Sequence, residues 1–442
     1  MLTKARALTL AQRDAKVIWH PFTQHQIASE PLAITRGQGA YLFTADQKKY
    51  LDLISSWWVN LHGHGEATIA AAIHEQALQL EHVLFAGCTH EPAVQLAEQL
   101  LAILPDHFSK IFYSDNGSTA VEIALKMAYH YWQNQGQPLR RKFIAFDNGY
   151  HGDTFGAMAI SRQSGFFAAF DNLLFPVTTY PYPDTWIDDA DILRKEETII
   201  NNMAAYLAEN GQTIAAVILE PLVQGASGMH MCRPQFLQRL QDLVKQYDIL
   251  LIYDEVMTGF GRTGNHFACI TAQTQPDIIC LAKGLTGGFL PLAVTSCAEF
   301  IYQAFLGDSF AKALAHGHSF TANPLGCAAA LASLQILKQD RVAKNIAAIA
   351  ECHQTNLQKL LAHPNVLKPR YCGTIAAFDL TLLAEYGSVA SKQLQQRFLD
   401  HGLLVRPLGK TIYLLPPYCV SVAELQNAYD IITDKIIGDL TC

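Results

Sequence analysis

Two windows of the chain carry residue types suited to covalent chemistry. ILLIYDE (249–255) is an apolar run that ends on Asp254 and Glu255, and DIICLA (277–282) ends just before Lys283 and a glycine-rich stretch, GLTGG. Short runs that are apolar on both alternations read as strands buried on both faces of a sheet. In parallel sheets, ligands gather at the carboxyl ends of the strands. Asp254 and Lys283, 29 residues apart, are therefore expected to face one crevice. A lysine and a carboxylate buried together suit pyridoxal phosphate (PLP): the amine forms a Schiff base with the aldehyde, and the carboxylate keeps the pyridinium protonated as an electron sink. The competing reading is a structural ion pair, or two solvated loop ends.

Two further segments bear on that choice. FYSDNGSTAVEIALKMA reads as strand, turn and helix, with Ser114, Asn116, Gly117, Ser118 and Thr119 at the helix start. Free N–H groups and the helix dipole there favour a phosphate, and the hydroxyls of Ser118 and Thr119 would add donors; an ordinary N-cap uses the same residue types. FDNGYHGDTFGAM follows the strand KFIAFD (142–147) and puts Tyr150 and His151 at the same sheet edge, where an aromatic ring could stack on a flat cofactor or simply pack in a loop. The stretch Gly259-Phe-Gly261-Arg-Thr-Gly264 matches a dinucleotide fingerprint literally. It lacks a clear helix signal after it, and Asp277 lies too close to serve as the distal acid. The pairs His62/His64 and His316/His318 have no acidic or cysteine partner in a ligand pattern, so no metal is expected.

The chain that must position these groups has 442 residues, of which 50% are hydrophobic and 16% charged. That is enough for a large core and excludes disorder as the main state. With 32 Lys+Arg against 39 Asp+Glu the net charge is −7, and the largest basic cluster is Arg140-Arg141-Lys142, so no nucleic-acid partner is expected. No apolar run approaches the length of a membrane span. The N-terminal stretch breaks its apolar residues with Gln12, Arg13 and Asp14, unlike a secretory signal. Ten cysteines without a C-x-x-C pair, several in apolar runs, read as reduced thiols in a cytoplasmic protein. Further strands are expected at KIFYSD (110–115), IAAVILEPL (214–222) and PLAVTSC (291–297), with helices at 118–132 and 233–247. The alternation implies an α/β fold with a mostly parallel sheet between helices. That large domain would span residues 65–330. Residues 1–64 and 331–442 would supply a smaller α+β domain from the two chain ends, the latter with strands around CGTIAAFDL and TIYLLPPY.

Together, DEVMTGFGRTG and the Lys283 window resemble the class III aminotransferases, which are fold-type I PLP enzymes, and the likeness runs roughly from residue 17 to residue 420. The resemblance implies Lys283 as the Schiff-base lysine, Asp254 as the pyridinium partner, Gly117 and Ser118 as phosphate ligands, and Tyr150 and Val256 on the two faces of the ring. It also implies a homodimer whose sites lie at the interface, with Ser319 giving a hydroxyl to the partner's phosphate and Gly317 at the substrate. Three segments, IWHPFTQ (18–24), ISSWWVNLHGH (54–64) and VRPLGKTIYLLPPY (405–418), are similar to the branch that converts 8-amino-7-oxononanoate into 7,8-diaminononanoate in biotin synthesis. There Trp57 and Trp58 would line the acceptor pocket, and Arg406 would hold the acceptor carboxylate, as a planar guanidinium can. Members that use S-adenosylmethionine as amino donor usually read W-H-P-Y-T. This chain has Phe22 in place of that tyrosine, and P-F-T-Q is shared with a lysine-using branch. The double tryptophan and RPLGK favour S-adenosylmethionine, because one missing hydroxyl removes a hydrogen bond worth only about 0.5–1.5 kcal/mol. Lysine as donor, a broad ω-transaminase, a nicotinamide oxidoreductase and a catalytically silent scaffold are the alternatives.

Overall fold

The computed structural model describes residues 9–161, 166–381 and 387–438. Cys442 and the first eight residues of the N-terminal stretch lie outside them. The first strands, β1 (Ile34–Gln38), β2 (Tyr41–Thr44) and β3 (Lys49–Asp52), form an antiparallel meander. The central sheet is built from β4 (Phe108–Ser114), β5 (Lys142–Phe146), β6 (Thr178–Tyr180) and β7 (Ile214–Leu219). A small hairpin of β8 (Val223–Gln224) and β9 (His230–Met231) stands beside it. The sheet is completed by β10 (Leu250–Asp254), β11 (Ile278–Leu281) and β12 (Ala293–Ala298). Its seven strands lie in the order β4-β12-β11-β10-β7-β5-β6.

β12 pairs antiparallel with both of its neighbours, and the other pairings in this sheet are parallel. The mostly parallel α/β architecture is therefore present, and every strand expected for it is found within a few residues of its expected ends. The reason is burial: β7, β10, β11 and β12 are buried at every position. Only a strand covered on both faces tolerates apolar residues on both alternations.

Helices provide that cover. Gly117–Asn134 starts from an Asn116 cap and turns Ala120, Ile123, Ala124, Met127 and Trp132 into the core, where the Trp132 Nε1–H donates to the Ala215 carbonyl at 2.8 Å. Pro234–Gln246 begins on a proline, whose missing N–H costs nothing at a helix start, and buries Phe236, Leu237, Leu240 and Leu243. Residue 330, the expected end of the large domain, falls inside the helix Pro324–Leu337. The next helix is Asp340–Leu360.

Beyond that helix, β13 (Val366–Cys372), β14 (Ile375–Leu380) and β16 (Thr411–Leu414) form an antiparallel sheet. The short strand β15 (Leu403–Leu404) instead returns to the first meander and pairs parallel with β3, setting Leu404 opposite Asp52. The two ends of the chain thus meet in one sheet.

Candidate active site

Because β4, β5, β7, β10 and β11 run the same way, their carboxyl ends open on one edge of the sheet. A cavity of about 680 Å³ lies there, and its walls include Gly117, Ser118, Tyr150, Asp254, Val256 and Lys283. These are cofactor-site residues expected from sequence, gathered from four segments. β10 and β11 pair with Asp254 opposite Cys280, so Lys283 lies three residues beyond that register point.

Asp254 is buried. One carboxylate oxygen accepts the Val256 N–H at 3.0 Å and the other accepts the His151 Nδ1–H at 2.7 Å. Burial works against the charged imidazole of His151, but the hydrogen bond and charge of Asp254, helped by Glu220, hold its pKa above the ordinary value. Glu220 directly follows β7 and accepts the N–H groups of Tyr150 and Gly225, each at 2.9 Å. Burial, reinforced by the Asp254 charge, pushes its carboxyl up to about 7 even though His151 and the two N–H groups pull the other way.

The amine of Lys283 sits 4.7 Å from the centroid of the Trp58 ring and makes no hydrogen bond among the described residues. Burial lowers its pKa, against the charges of Asp254 and Glu220. Its backbone is left-handed, at φ 45°. For a residue with a side chain that costs on the order of 1–3 kcal/mol, and such strain concentrates at functional sites.

At the helix start, Asn116 and Thr119 cap each other: the Asn116 side chain accepts the Thr119 N–H at 3.0 Å, and the Thr119 hydroxyl accepts the Asn116 N–H at 3.2 Å. Among the described residues the N–H groups of Gly117 and Ser118 have no partner, and both residues line the cavity. Thr119 corrects an expectation. Its hydroxyl donates to Asp115 and to the Asn116 carbonyl, so it belongs to the cap. Gly117 has a steric reason as well, since a Cβ there would come within 2.6 Å of Val256 Cγ1.

The expected acceptor residues form a second group around the two tryptophans. Trp58 lines the cavity and its Nε1–H donates to the Tyr413 hydroxyl at 3.0 Å. Trp57 is 42% exposed and carries the Arg406 guanidinium 4.6 Å from its ring centroid. Phe22 meets Trp57 edge-on at 6.0 Å and Phe166 at 5.9 Å, and Phe166 in turn meets Tyr150 at 6.1 Å. Ser55, Ser56 and Trp58 are left-handed, so this wall is also strained. Gly317 and Ser319 are exposed and, like Phe22, Trp57 and Arg406, are not among the residues that line the cavity of their own chain.

The remaining chemical candidates are engaged elsewhere. Glu255 accepts the N–H groups of Ala268 and Cys269 at 2.6 and 2.8 Å and caps the five-residue helix Ala268–Ala272. That helix follows the glycine stretch where sequence offered no clear helix signal. The stretch itself is filled by the chain: a Cβ at Gly261 would come within 2.8 Å of Ile346 and 3.0 Å of the Tyr418 hydroxyl, leaving no cradle for a pyrophosphate. His62 meets Ser333, and His64 meets Asp52. Lys126 meets His316, and the His318 ring accepts the Phe320 N–H. Among the described residues no group of three His, Cys, Asp or Glu is placed to hold a metal. No described helix is long and apolar enough to cross a membrane. Nine cysteines are described, all free, with Cys88 and Cys419 exposed and Cys372 half-buried.

Sequence reasoning missed Glu220, although it directly follows a buried strand much as Asp254 closes one. It also placed His151 at the edge without seeing its bond to Asp254, which no spacing rule encodes.

Residues 23–436 match the family model of the class-III aminotransferases. The chain belongs to that family. The adenosylmethionine-8-amino-7-oxononanoate aminotransferase of Synechococcus elongatus is 51% identical to it, over 95% of this chain and 98% of the relative. Among solved structures, the enzyme of the same name from Methanocaldococcus jannaschii superposes with a TM-score of 0.89 at 36% identity, covering 96% of this chain and 98% of that one. An amine transaminase from an uncultivated Pseudomonas species, solved in its PLP-bound form, gives 0.89 at 31% identity, covering 95% and 99%. As a class-III aminotransferase the chain is a PLP-dependent transaminase of fold type I.

The Glu220 environment gives a pH dependence. Its carboxyl sits at about 7 in the fold against an ordinary 4.5. A carboxyl raised by folding stabilises the fold fully below its unfolded value and loses that contribution as pH rises through the folded one. Melting temperature is expected to fall between about pH 5 and pH 8, and Glu220→Gln is expected to flatten the fall. Equal slopes for the two proteins, measured by calorimetry across that range, would remove Glu220 as the cause.

Proposed function

We propose that this protein transfers an amino group to 8-amino-7-oxononanoate, giving 7,8-diaminononanoate in biotin synthesis, with PLP as cofactor and S-adenosylmethionine as donor. The observation that carries the acceptor reading is a pair of contacts, Lys283 on Trp58 and Arg406 on the neighbouring Trp57. A reactive amine at one end, two indoles between and a guanidinium at the other match an acceptor with a keto-amine head, an aliphatic chain and a tail carboxylate. The names of the relatives support the same assignment.

The residues fit the cofactor. Gly117 and Ser118 would receive the phosphate on free N–H groups at a helix N-terminus, Tyr150 and Val256 would hold the ring faces, and Ser319 would serve the phosphate of a partner subunit in a homodimer, with Gly317 at that subunit's substrate. PLP, when bound, supplies an aldehyde that takes up the amino group and a pyridinium that draws off electrons. Asp254, bonded to the His151 imidazole at 2.7 Å, would hold a proton on the pyridine nitrogen, and Lys283 would anchor the aldehyde. Its lowered pKa favours the neutral amine, which removes a proton from the amine-bearing carbon of the donor and returns one to C7 of the acceptor. Arg406 binds the acceptor carboxylate through paired N–H groups, and Trp57, Trp58 and Phe22 bury the chain and exclude water. Donor and acceptor use one site in turn, so the kinetics are ping-pong.

Lys283→Ala is expected to lose covalent retention of PLP. After borohydride reduction and denaturation, the intact mass of the wild type should include the cofactor and that of the variant should not; retention in the variant would end the assignment. Arg406→Ala should raise the KM for 8-amino-7-oxononanoate by roughly ten- to a hundredfold, the size of a lost charge-assisted pair. An unchanged KM would mean another group holds the carboxylate. The donor is read by adding S-adenosylmethionine or lysine separately to the PLP-loaded protein and following loss of the visible cofactor band. Loss with S-adenosylmethionine is expected. Loss with lysine alone would reassign the donor, with Phe22 as its marker, and loss with neither would favour a broad ω-transaminase.

A further inference from the structure

We infer that Asp52 is the positioning residue of the acceptor wall: one buried carboxylate sets the Trp57–Trp58 turn and with it the indole on which Arg406 stacks. The inference rests on the acceptor reading above and deepens it.

Asp52 does not line the cavity and has no solvent exposure, at 0%. It ends β3, and its carboxylate is saturated by the turn that follows. One oxygen accepts the Ile54 N–H at 3.2 Å. The other accepts the Ser56 N–H at 2.7 Å, the Ser56 hydroxyl at 3.1 Å and the His64 Nε2–H at 2.9 Å. Ser55 and Ser56, at φ 50° and 60°, and Trp58, at φ 69°, all take the left-handed conformation that residues with side chains avoid. A turn with that much local strain keeps its shape only when surrounding groups over-determine it. Asp52 binds the strained segment on both sides of Ser55, just ahead of the two indoles.

The polarity of the network is determined by its outer members. The Asn60 side-chain oxygen accepts the Gly63 N–H at 2.7 Å, so its amide nitrogen is the donor to His64 Nδ1 at 3.1 Å. That leaves the proton of a neutral His64 on Nε2, pointing at Asp52. Room for the imidazole comes from β1, where a Cβ on Gly37 would come within 2.6 Å of His64 Cβ. Asn60 is itself held, since its carbonyl accepts an N–H of the buried Arg262 at 3.1 Å.

The backbone on either side of Asp52 carries the other half of the wall. Asp52 lies opposite Leu404 in the β3–β15 pairing, where the Leu51 N–H donates to the Gly402 carbonyl at 2.8 Å and the Leu53 N–H to the Leu404 carbonyl at 3.2 Å. Arg406 follows two residues later and stacks on Trp57. The guanidinium and the indole it covers are thus carried by two paired strands, and a shift of the Trp57 turn changes the span between them. Asp254 and His151 are bonded to each other on other elements, and Lys283, which follows β11, meets this wall at the Trp58 ring.

The test is a mutant cycle on the PLP-loaded protein. Asp52→Asn keeps the shape but turns an acceptor into a donor that faces an N–H. It is expected to raise the KM for 8-amino-7-oxononanoate roughly ten- to a hundredfold, with kcat within about threefold and PLP retention unchanged. Because Asp52 acts through the wall, Asp52→Asn added to Trp57→Ala should raise KM no further than Trp57→Ala alone. Additive effects, or a fall in kcat at constant KM, would overturn the inference. Should Asp52→Asn not fold, Ser56→Ala, which deletes a single contact to the carboxylate, is expected to give a smaller KM rise that again vanishes in the Trp57→Ala background; an unchanged KM there would overturn it equally. If the wild type does not aminate 8-amino-7-oxononanoate, the acceptor reading fails separately, and the same cycle is then read on the carboxylate-bearing acceptor that the wild type does use.

Discussion

A carboxylate at the end of a buried strand persists only if something replaces the water it gives up. At Asp254 the replacement is the His151 imidazole at 2.7 Å and the Val256 N–H at 3.0 Å. Much of the centre follows from that pair. His151 must be on the loop after β5, so β5 and β10 must end at the same edge of one sheet. Val256 must turn back toward Asp254, which also brings its side chain against Gly117. Lys283 can then be buried, because Asp254 and Glu220 offset part of the cost of its charge. The remaining cost favours the neutral amine that proton transfer needs.

Strain is distributed with the same logic. Lys283, Ser55, Ser56, Trp58 and Phe22 are all left-handed, and they belong to the reactive lysine or to the wall facing it. None of these positions could be ordered by local preference. Three of them are held by named partners: Trp58 by Tyr413, Ser55 by the Leu415 carbonyl at 2.7 Å, Ser56 by Asp52. Tyr413 and Leu415 come from a distant part of the chain, so this wall takes its shape only when the C-terminal strands have docked.

This division explains what could be read before the fold was seen. Strands buried on both faces announce themselves as uninterrupted apolar runs, so the central sheet and the crevice at its edge were legible, and with them Asp254, Lys283 and the helix start at Gly117. The cap at Asn116 was half legible: the residue types were evident, but whether Thr119 faced the cavity or its own cap is decided by a side-chain torsion. The Asp254–His151 bond joins residues 103 apart, and the Asp52–His64 bond joins the end of β3 to a later loop, so neither leaves a periodic trace. Glu220 directly follows β7, but a proline comes after it and no lysine window lies beside it in the sequence. Gly317 and Ser319 make no sense within one chain, and only the family resemblance gives them a place.

The fold alone does not choose a substrate. An amine transaminase at 31% identity shares the whole architecture of this chain, and the sheet edge with Lys283 and Asp254 would serve any primary amine. Discrimination must therefore come from groups that the central sheet does not carry. Phe22, Trp57 and Trp58 lie before it in the chain and Arg406 after it, and they meet because β15 pairs with β3. A wall assembled this way can change its span or polarity without disturbing the carboxylate, imidazole and amine behind it. Phe22 for tyrosine is such a change: the ring still packs on Trp57 and Phe166, so the apolar enclosure is kept and only the hydroxyl is lost. A donor recognised mainly by its charge and bulk would tolerate that loss, whereas one oriented by the hydroxyl would not.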